Sequence, residues 1–328
     1  MRLIGRGALA AAALLLVTGS AIPATASPAR EPAPTSGSSN YLVVAGSGSD
    51  FQIKSSSTGT LVKDLGAVPG WTNNGLALSP DGQDVYVVVN ETSSLAIDRL
   101  SVANGAETFV ADGEQPSISP DGHHLAFGTG PSGGQTLAVR DLTSGKDQSI
   151  DLRRLLGEQT DLLNASIAWL GDGSKIVVLP GGFVSNLMGG GTPRGSPGSC
   201  SAVSVSDTCL IVVSVRDGHP LTAKRVLLGG LRPDIPLIGS SGSSDIVAIG
   251  FGGHHSNVYT ADLTNGSSFT RLFSLPSVLP LAFRARGTEL FYLTGHSPTA
   301  LWLARVTPDG LKDAKRLNAD IGLSGFAG

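Results

Sequence analysis

Charged and aromatic residues are scarce in this chain of 328 residues, of which 15% are charged, 5% are aromatic and only two are cysteines. The formal net charge is −3, so the sequence lacks the positive charge that would attract nucleic acid or an anionic membrane surface. No group of His, Cys, Asp and Glu has zinc-type spacing. We therefore expect no nucleic-acid partner, no metal and no cofactor.

Glycine and apolar residues are abundant in the same chain. There are 44 glycines and 19 prolines, and 41% of the residues are hydrophobic. Many apolar residues with little charge predict a packed core rather than disorder. Frequent glycine with scattered proline is typical of short strands joined by tight turns, so the composition indicates an all-β fold.

The first 26 residues have the pattern of a secretory signal. Arg2 and Arg6 precede a short apolar run at residues 8–17, and Ala24-Thr25-Ala26 offers a small-residue cleavage site. We expect cleavage after Ala26, a product secreted or held in the cell envelope, and no membrane insertion after cleavage. An uncleaved anchor is the alternative.

The mature chain divides into a leader and one domain. Residues 27–40 are rich in Pro, Ser and Ala and predict a flexible leader. Apolar strand-like segments begin at Tyr41, so residues 41–328 are expected to form the folded domain.

A hairpin motif recurs along this domain. Two Ser-Pro-Asp-Gly turns begin at Ser79 and Ser119, 40 positions apart, and each lies between apolar segments. Weaker copies follow at residues 167–178, 236–248 and 281–292. Pro presets φ at the second turn position and Gly accepts positive φ at the fourth, so we interpret the aspartates as hairpin residues without a metal or catalytic role.

A second series of turns alternates with the first. Six polar turns end in Gly59, Gly105, Gly145, Gly218, Gly266 and Gly310. The two series together predict six repeats of two hairpins each, with an inserted loop at residues 181–208 in the fourth repeat. Four strands in a repeat of forty-odd residues are typical of a β-propeller blade.

The first repeat of the domain lacks one strand, and the C-terminal segment could supply it. The first repeat has three strands, because its Ser-Pro-Asp-Gly hairpin is missing, and residues 321–328 resemble an innermost strand. We therefore predict a six-bladed β-propeller of four-stranded antiparallel blades. Its ring is closed by the C-terminal strand, which completes the first blade and leaves no exposed edge there.

The repeated Ser-Pro-Asp-Gly hairpin resembles the WD40-like repeats of the TolB-type six-bladed propeller family. The resemblance covers residues 41–328 and implies architecture, since the motif is a turn and not a site. We expect no counterpart in this chain of the α/β domain that precedes the propeller in TolB.

Propellers commonly bind ligands at the face where strand four joins strand one and strand two joins strand three. This topology assigns a set of polar and aromatic residues to that face, which surrounds the central funnel. The candidate ligand-binding residues are Trp71, Glu114, Gln115, Asn164, Arg232, Asp234, His254, His255, His296 and Asp320.

The two cysteines flank the end of the inserted loop. Cys200 and Cys209 are predicted to form a disulfide, because the expected compartment is oxidising. Two free thiols are the alternative. A disulfide would clip the loop at residues 181–208 and favour an ordered flap over one face of the propeller.

Two functions are compatible with these features. The first is a monomeric, non-catalytic binding module that presents the funnel face and the clipped loop to a protein or glycan. No catalytic residue is assigned in that hypothesis. The alternative is an enzyme on the same scaffold, such as a metal-assisted lactone hydrolase or a lyase, with its site in the central funnel.

Overall fold

The computed structural model describes fifteen separate stretches of the chain. They are residues 41–45, 50–91, 94–130, 135–156, 162, 165–180, 207–229, 237–240, 245–252, 255–263, 270–276, 278–283, 289–294, 300–317 and 325–327. The chain divides into two units, Met1–Pro34 and Thr35–Gly328, and every described residue belongs to the second. The predicted signal and leader, and residues 181–206 of the predicted loop, lie outside these stretches.

The described strands form six four-stranded antiparallel sheets, which we call blades and number along the chain. Strands are numbered in chain order. Blade 1 contains β1 (Tyr41–Ala45), β2 (Asp50–Ser55), β3 (Leu61–Ala67) and β24 (Gly325–Ala327). Blade 2 contains β4 (Trp71–Leu78), β5 (Asp84–Asn90), β6 (Leu95–Ser101) and β7 (Glu107–Asp112). Blade 3 contains β8 (Glu114–Ile118), β9 (His124–Thr129), β10 (Thr136–Asp141) and β11 (Asp147–Asp151).

The remaining three blades follow the same order. Blade 4 contains β12 (Ser166–Trp169), β13 (Lys175–Leu179), β14 (Asp207–Arg216) and β15 (His219–Gly229). Blade 5 contains β16 (Leu237–Ser240), β17 (Asp245–Gly252), β18 (His255–Asp262) and β19 (Thr270–Pro276). Blade 6 contains β20 (Val278–Phe283), β21 (Glu289–Thr294), β22 (Ala300–Thr307) and β23 (Gly310–Leu317). Because β14 begins at Asp207, the last two residues of the predicted loop belong to a strand instead.

The C-terminal strand belongs to the blade that contains the first strand. β24 pairs antiparallel with β1, with Val43 opposite Ala327 and Ala45 opposite Gly325. The innermost strands contact one another in the order β24, β4, β8, β12, β16 and β20, and β20 contacts β24. The sequence argument places the C-terminal segment at this same position.

The Ser-Pro-Asp-Gly hairpins hold themselves together through their first and third residues. The Ser119 hydroxyl donates to Asp121 and accepts the N–H of His124 at 2.9 Å, and Asp121 also accepts the N–H of His123. Burial opposes ionisation of Asp121, but these hydrogen bonds and the two histidines outweigh it and lower the pKa of that carboxyl. Asp121 therefore acts as a turn residue, as does Asp81, which accepts from Ser79.

The core lies between blades, because alternate residues of one strand face opposite neighbours. In β5, Val87 packs towards Phe51 of blade 1, whereas Val88 packs towards Phe127 of blade 3. In β13, Val178 faces blade 3 and Val177 faces blade 5. Both faces of a blade are thus buried, which explains why these strands are continuous apolar runs.

One short helix interrupts the all-β pattern. α1 (Arg153–Leu156) lies between blades 3 and 4, and its first turn is capped by Asp151, whose side chain accepts the N–H of Arg153 at 2.8 Å. The sequence analysis did not predict it. Within the described stretches, no helix has the length and apolarity needed to span a membrane.

We predict that β24 holds the ring together. Deleting residues 321–328 should lower the melting temperature by roughly 5 °C or more, because about 1 kcal/mol corresponds to about 2–4 °C in a domain of this size. The deletion leaves the edge of β1 without its partner. Circular dichroism melting measures the effect, and deletion of residues 27–40 serves as the control. Equal melting of the C-terminal deletion and the full mature protein would contradict this role.

Candidate functional site

The strand order places two kinds of connection at one end of every blade. The connections from strand four to the next strand one, and from strand two to strand three, share this end. The name rim denotes the described residues 67–75, 90–91, 94–95, 112–116, 129–130, 135–136, 151–156, 162 and 165–166. The rim, as far as it is described, belongs to blades 1 to 4.

Trp71 begins β4 at the rim, and its ring takes part in the core. The ring meets Phe51 of blade 1 edge to face, with centroids 5.3 Å apart and an interplanar angle of 87°. This geometry is favourable for aromatic pairs. The indole Nε1–H is buried, and no acceptor for it lies among the described atoms. Trp71 therefore packs two blades together.

The innermost strand β4 is irregular at the rim. Trp71 pairs with Val89, but the next residue in register is Leu76, which pairs with Val87. Four residues of β4, from Thr72 to Gly75, thus lie opposite one residue of β5. The Thr72 hydroxyl donates to the Val88 carbonyl at 3.4 Å. Bulges of this kind interrupt regular pairing and redirect side chains, and they are frequent next to functional sites.

The neighbouring innermost strand β8 is irregular at the same level. Glu114 pairs with Gly128 and Ser117 pairs with Ala126, so Gln115 and Pro116 together oppose a single residue of β9. Gln115 has a φ of 55°, in the left-handed region that residues other than Gly seldom adopt. A half-buried polar residue is therefore held at the mouth of the propeller in an uncommon conformation.

The two irregularities pack against each other through a glycine. Gly75 has a φ of 139°, and a Cβ at this position would lie 2.5 Å from Pro116 Cδ and 3.0 Å from Gln115 Cα. Both the conformation and the space at position 75 require glycine. Residues 72–75 and 115–116 thus form one feature at the rim of blades 2 and 3, which we call the double bulge.

Glu114 lies beside the double bulge but beneath the surface. Its side chain is only 3% exposed, and its Cγ would lie 3.8 Å from a Cβ at Gly128. The sequence analysis assigned Glu114, Gln115 and Trp71 to one rim, and the structure brings them onto adjacent innermost strands. Glu114 and Trp71 contribute more to the wall of the rim than to its surface.

Between blades 3 and 4, the rim is filled by leucines that the sequence analysis did not single out. Leu152, Leu156 and Leu162 are fully buried in the core shared by these blades, and Leu162 Cβ would lie 3.0 Å from a Cβ at Gly128. The spacing of Leu152 and Leu156 is a helical i, i+4 signal that could have predicted α1. These leucines, which we call the leucine plug, fill the core between blades 3 and 4 at this part of the rim.

Most of the other candidate residues lie outside the described stretches. These are Asn164, Arg232, Asp234, His254, His296, Asp320 and Cys200. His255 is described only as the first residue of β18. In the described part of the chain, no group of three or more His, Cys, Asp or Glu side chains lies close enough together to hold a metal ion.

Comparisons with known proteins identify the fold. No protein-family model matches the sequence, and no curated protein matches it. A crystal structure of TolB from Acinetobacter baumannii is similar, with a TM-score of 0.55 and 15% identity over 88% of this chain and 65% of that chain. A chain of the nidogen/laminin complex has the same TM-score and identity, over 88% of this chain and 97% of its own.

A third similar structure is a functionally unknown protein from Desulfotomaculum acetoxidans DSM 771, with a TM-score of 0.50 and 15% identity over 88% of this chain and 84% of that chain. At these identities the likeness shows the fold alone. The prediction of an all-β, TolB-like β-propeller is confirmed. The chain matches slightly less than two thirds of the length of the Acinetobacter TolB.

We predict that the double bulge depends on the space at Gly75. Gly75→Ala should lower the free energy of unfolding by roughly 1–3 kcal/mol more than Gly145→Ala, because overpacking adds to backbone strain only at position 75. Gly145 is a matched control, since it also has positive φ (69°) but nothing within 4 Å of an added Cβ. Urea unfolding measures both variants. Equal destabilisation would show that Pro116 and Gln115 do not confine the glycine.

Proposed function

We propose that the protein is a secreted, non-catalytic β-propeller that binds a protein or glycan partner through the rim. The double bulge is the observation that carries this proposal. It removes residues 72–75 and 115–116 from the regular ladder of two adjacent innermost strands.

A regular innermost strand uses its backbone groups in pairing with the next strand, whereas bulged residues leave some of these groups outside the ladder. At the double bulge the residue types are Thr, Asn, Asn, Gly, Gln and Pro, which are mostly hydrogen-bonding residues of moderate size. Strained residues such as Gln115 persist where surrounding packing fixes them, and such residues are concentrated at ligand sites. The rim of blades 2 and 3 thus offers preorganised hydrogen-bonding groups to a partner.

The similar structures support a binding role in a limited way. One of them is a chain of a complex between nidogen and laminin, an assembly of one protein with another. A propeller of this architecture can therefore serve as a module in a protein complex. We propose the same kind of role for this chain, as a monomer.

The secretory signal and the disulfide belong to the same proposal. Residues 1–26 carry the signal pattern, and a secreted protein meets an oxidising compartment in which cysteines pair. Cys209 lies in β14 with only 6% of its surface exposed, and no cysteine in the described part of the chain is a free thiol. A disulfide with Cys200 would close a short loop and stabilise the fold by roughly 2–3 kcal/mol.

The disulfide is tested by counting thiols. Unreduced mature protein, denatured and treated with a thiol label, should take up no label, whereas reduced protein should take up two labels per chain. Cys200→Ser should take up one label without reduction, which shows that Cys209 becomes accessible once its partner is gone. Two labels on the unreduced protein would contradict the disulfide.

The binding face is tested by site-specific photo-crosslinking in the cells that produce the protein. The photoreactive residue p-benzoylphenylalanine is placed at Glu91, an exposed rim position between β5 and β6. The matched control is Gln83, an exposed position of the same blade in the turn at the opposite end. We expect a discrete adduct from position 91 and none from position 83, and mass spectrometry of the adduct distinguishes peptide from glycan.

Three outcomes would count against the proposal. Equal adducts from both positions would indicate contact without a preferred face. No adduct from position 91 would remove the rim of blade 2 as a binding surface. An adduct made of two copies of this chain would contradict a monomer that binds a different partner.

A further inference from the structure

A carboxyl group is buried in the apolar interface between blades 1 and 2. Asp98 lies in the middle of β6 with only 7% of its surface exposed. Ala96 and Leu100, two residues away on either side, share its face and pack with Phe51 and Ile53 of blade 1. Asp98 therefore lies between two apolar core residues of its own strand. We call this interface the seam.

A second carboxyl group lies on the same face of the neighbouring strand. In the register of β6 and β7, Asp98 is opposite Phe109 and Leu100 is opposite Glu107, so Glu107 is the diagonal neighbour of Asp98. The two carboxyl groups are close enough to share a hydrogen bond, which is one of the interactions that raise the pKa of Asp98. Since ionised carboxylates have no donor, a hydrogen bond between them requires a proton on one of them.

The surroundings of Asp98 favour the protonated form of its carboxyl group. Burial, followed by the hydrogen bond and the negative charge of Glu107, raises the pKa of Asp98 from 3.8 to about 6. The Asp98 Oδ1 atom is buried, and no hydrogen-bond partner for it lies among the described atoms. When the proton leaves, this oxygen has to carry negative charge without a donor.

The strands packed on the seam supply little compensating charge. On blade 1, Lys63 of β3 pairs with Ile53 and so faces the seam, but its ammonium donates to the carbonyl of Ala103 in the turn after β6. Lys54 of β2 alternates to the other face of its sheet, as does Arg99 of β6. The described side chains of β4 and β5 that pack in this core are Trp71, Leu76, Leu78, Val85, Val87 and Val89, which are all apolar.

We propose that Asp98 and Glu107 form a proton-dependent switch in the seam between blades 1 and 2, which is tight in mildly acidic surroundings and loosens as the pH rises to neutral. The proton joins the third and fourth strands of blade 2. Its loss places two negative charges at the seam, and they repel each other. Lys63 is a cation on the facing side of blade 1 and is drawn away from Ala103 when both carboxylates are charged.

The sign of the pH dependence follows from linkage. The folded chain binds a proton at Asp98 more tightly than the unfolded chain does, so stability falls as the pH rises from about 4 to above 6. Asp121 and Asp141 act in the opposite direction, since their lowered pKa values give stability that is lost as the pH falls. The test therefore compares variants at each pH and not one protein across the pH range.

Asp98→Asn keeps the shape of the side chain and a donor for Glu107, and it carries no charge at any pH. We expect its melting temperature to equal that of the wild type at pH 4.5 and to exceed it by several degrees at pH 7.5. Asp50→Asn, which neutralises an exposed acid at the start of β2 on the face opposite to Phe51, is the control and should differ from the wild type by the same amount at both values.

Hydrogen exchange shows whether the seam itself responds. After correction for the intrinsic rate, peptides that cover β3, β6 and β7 should exchange faster at pH 7.5 than at pH 4.5 in the wild type, and at equal rates in Asp98→Asn. A melting difference between the wild type and Asp98→Asn that does not grow with pH would overturn the proposal. Corrected exchange rates in β3, β6 and β7 that are the same at pH 4.5 and pH 7.5 in the wild type would also overturn it.

A direct titration keeps the proposal testable if Asp98→Asn does not fold. Carboxyl carbon NMR of the wild type should show Asp98 titrating near pH 6, and Glu107→Gln should move this midpoint down. A midpoint near the ordinary value of an aspartate, or one that Glu107→Gln leaves unchanged, would show that the two groups share no proton.

Discussion

The rest of the structure depends on one constraint, which is that each four-stranded sheet must bury both of its faces. A single sheet of this size cannot be stable alone, since its apolar faces would be exposed to water. Here the described core clusters lie between consecutive blades, from blades 1 and 2 to blades 5 and 6. Val87 and Val88 are adjacent in the chain yet belong to different interfaces. The stability of one blade is therefore a property of its neighbours.

This constraint gives the terminal strands their importance. Core clusters join consecutive blades from blade 1 to blade 6, and at the two ends of the series β20 of blade 6 contacts β24 of blade 1. The pairing of β24 with β1 joins the two ends of the domain within one sheet, and the pairing is only three residues long. A short strand is enough, because β24 only has to join the two ends of the domain, and the blades there are stabilised mainly by their apolar faces.

The same constraint explains which parts of the structure the sequence predicted. Turn residues such as Ser119 and Asp121 act within a few positions of one another, so the hairpins and their repeat were visible without the structure. The irregularities of β4 and β8 depend on contact between Gly75 and Pro116, which lie on different blades. That contact has no local signal, apart from glycine and proline in strand-like segments. Leu162 was missed for the same reason, because it packs on blade 3, whereas the i, i+4 spacing of Leu152 and Leu156 was a local signal for α1.

Asp98 is the clearest case of a residue whose meaning arises only from packing. In the sequence it is one aspartate in a strand that alternates as expected. In the structure it lies on the buried side of that strand, where an apolar residue would stabilise the seam at every pH. A charge at such a position weakens the interface on which two blades depend. Since burial of both faces holds the propeller together, one ionisable group in a seam can couple the stability of the fold to the acidity of its surroundings.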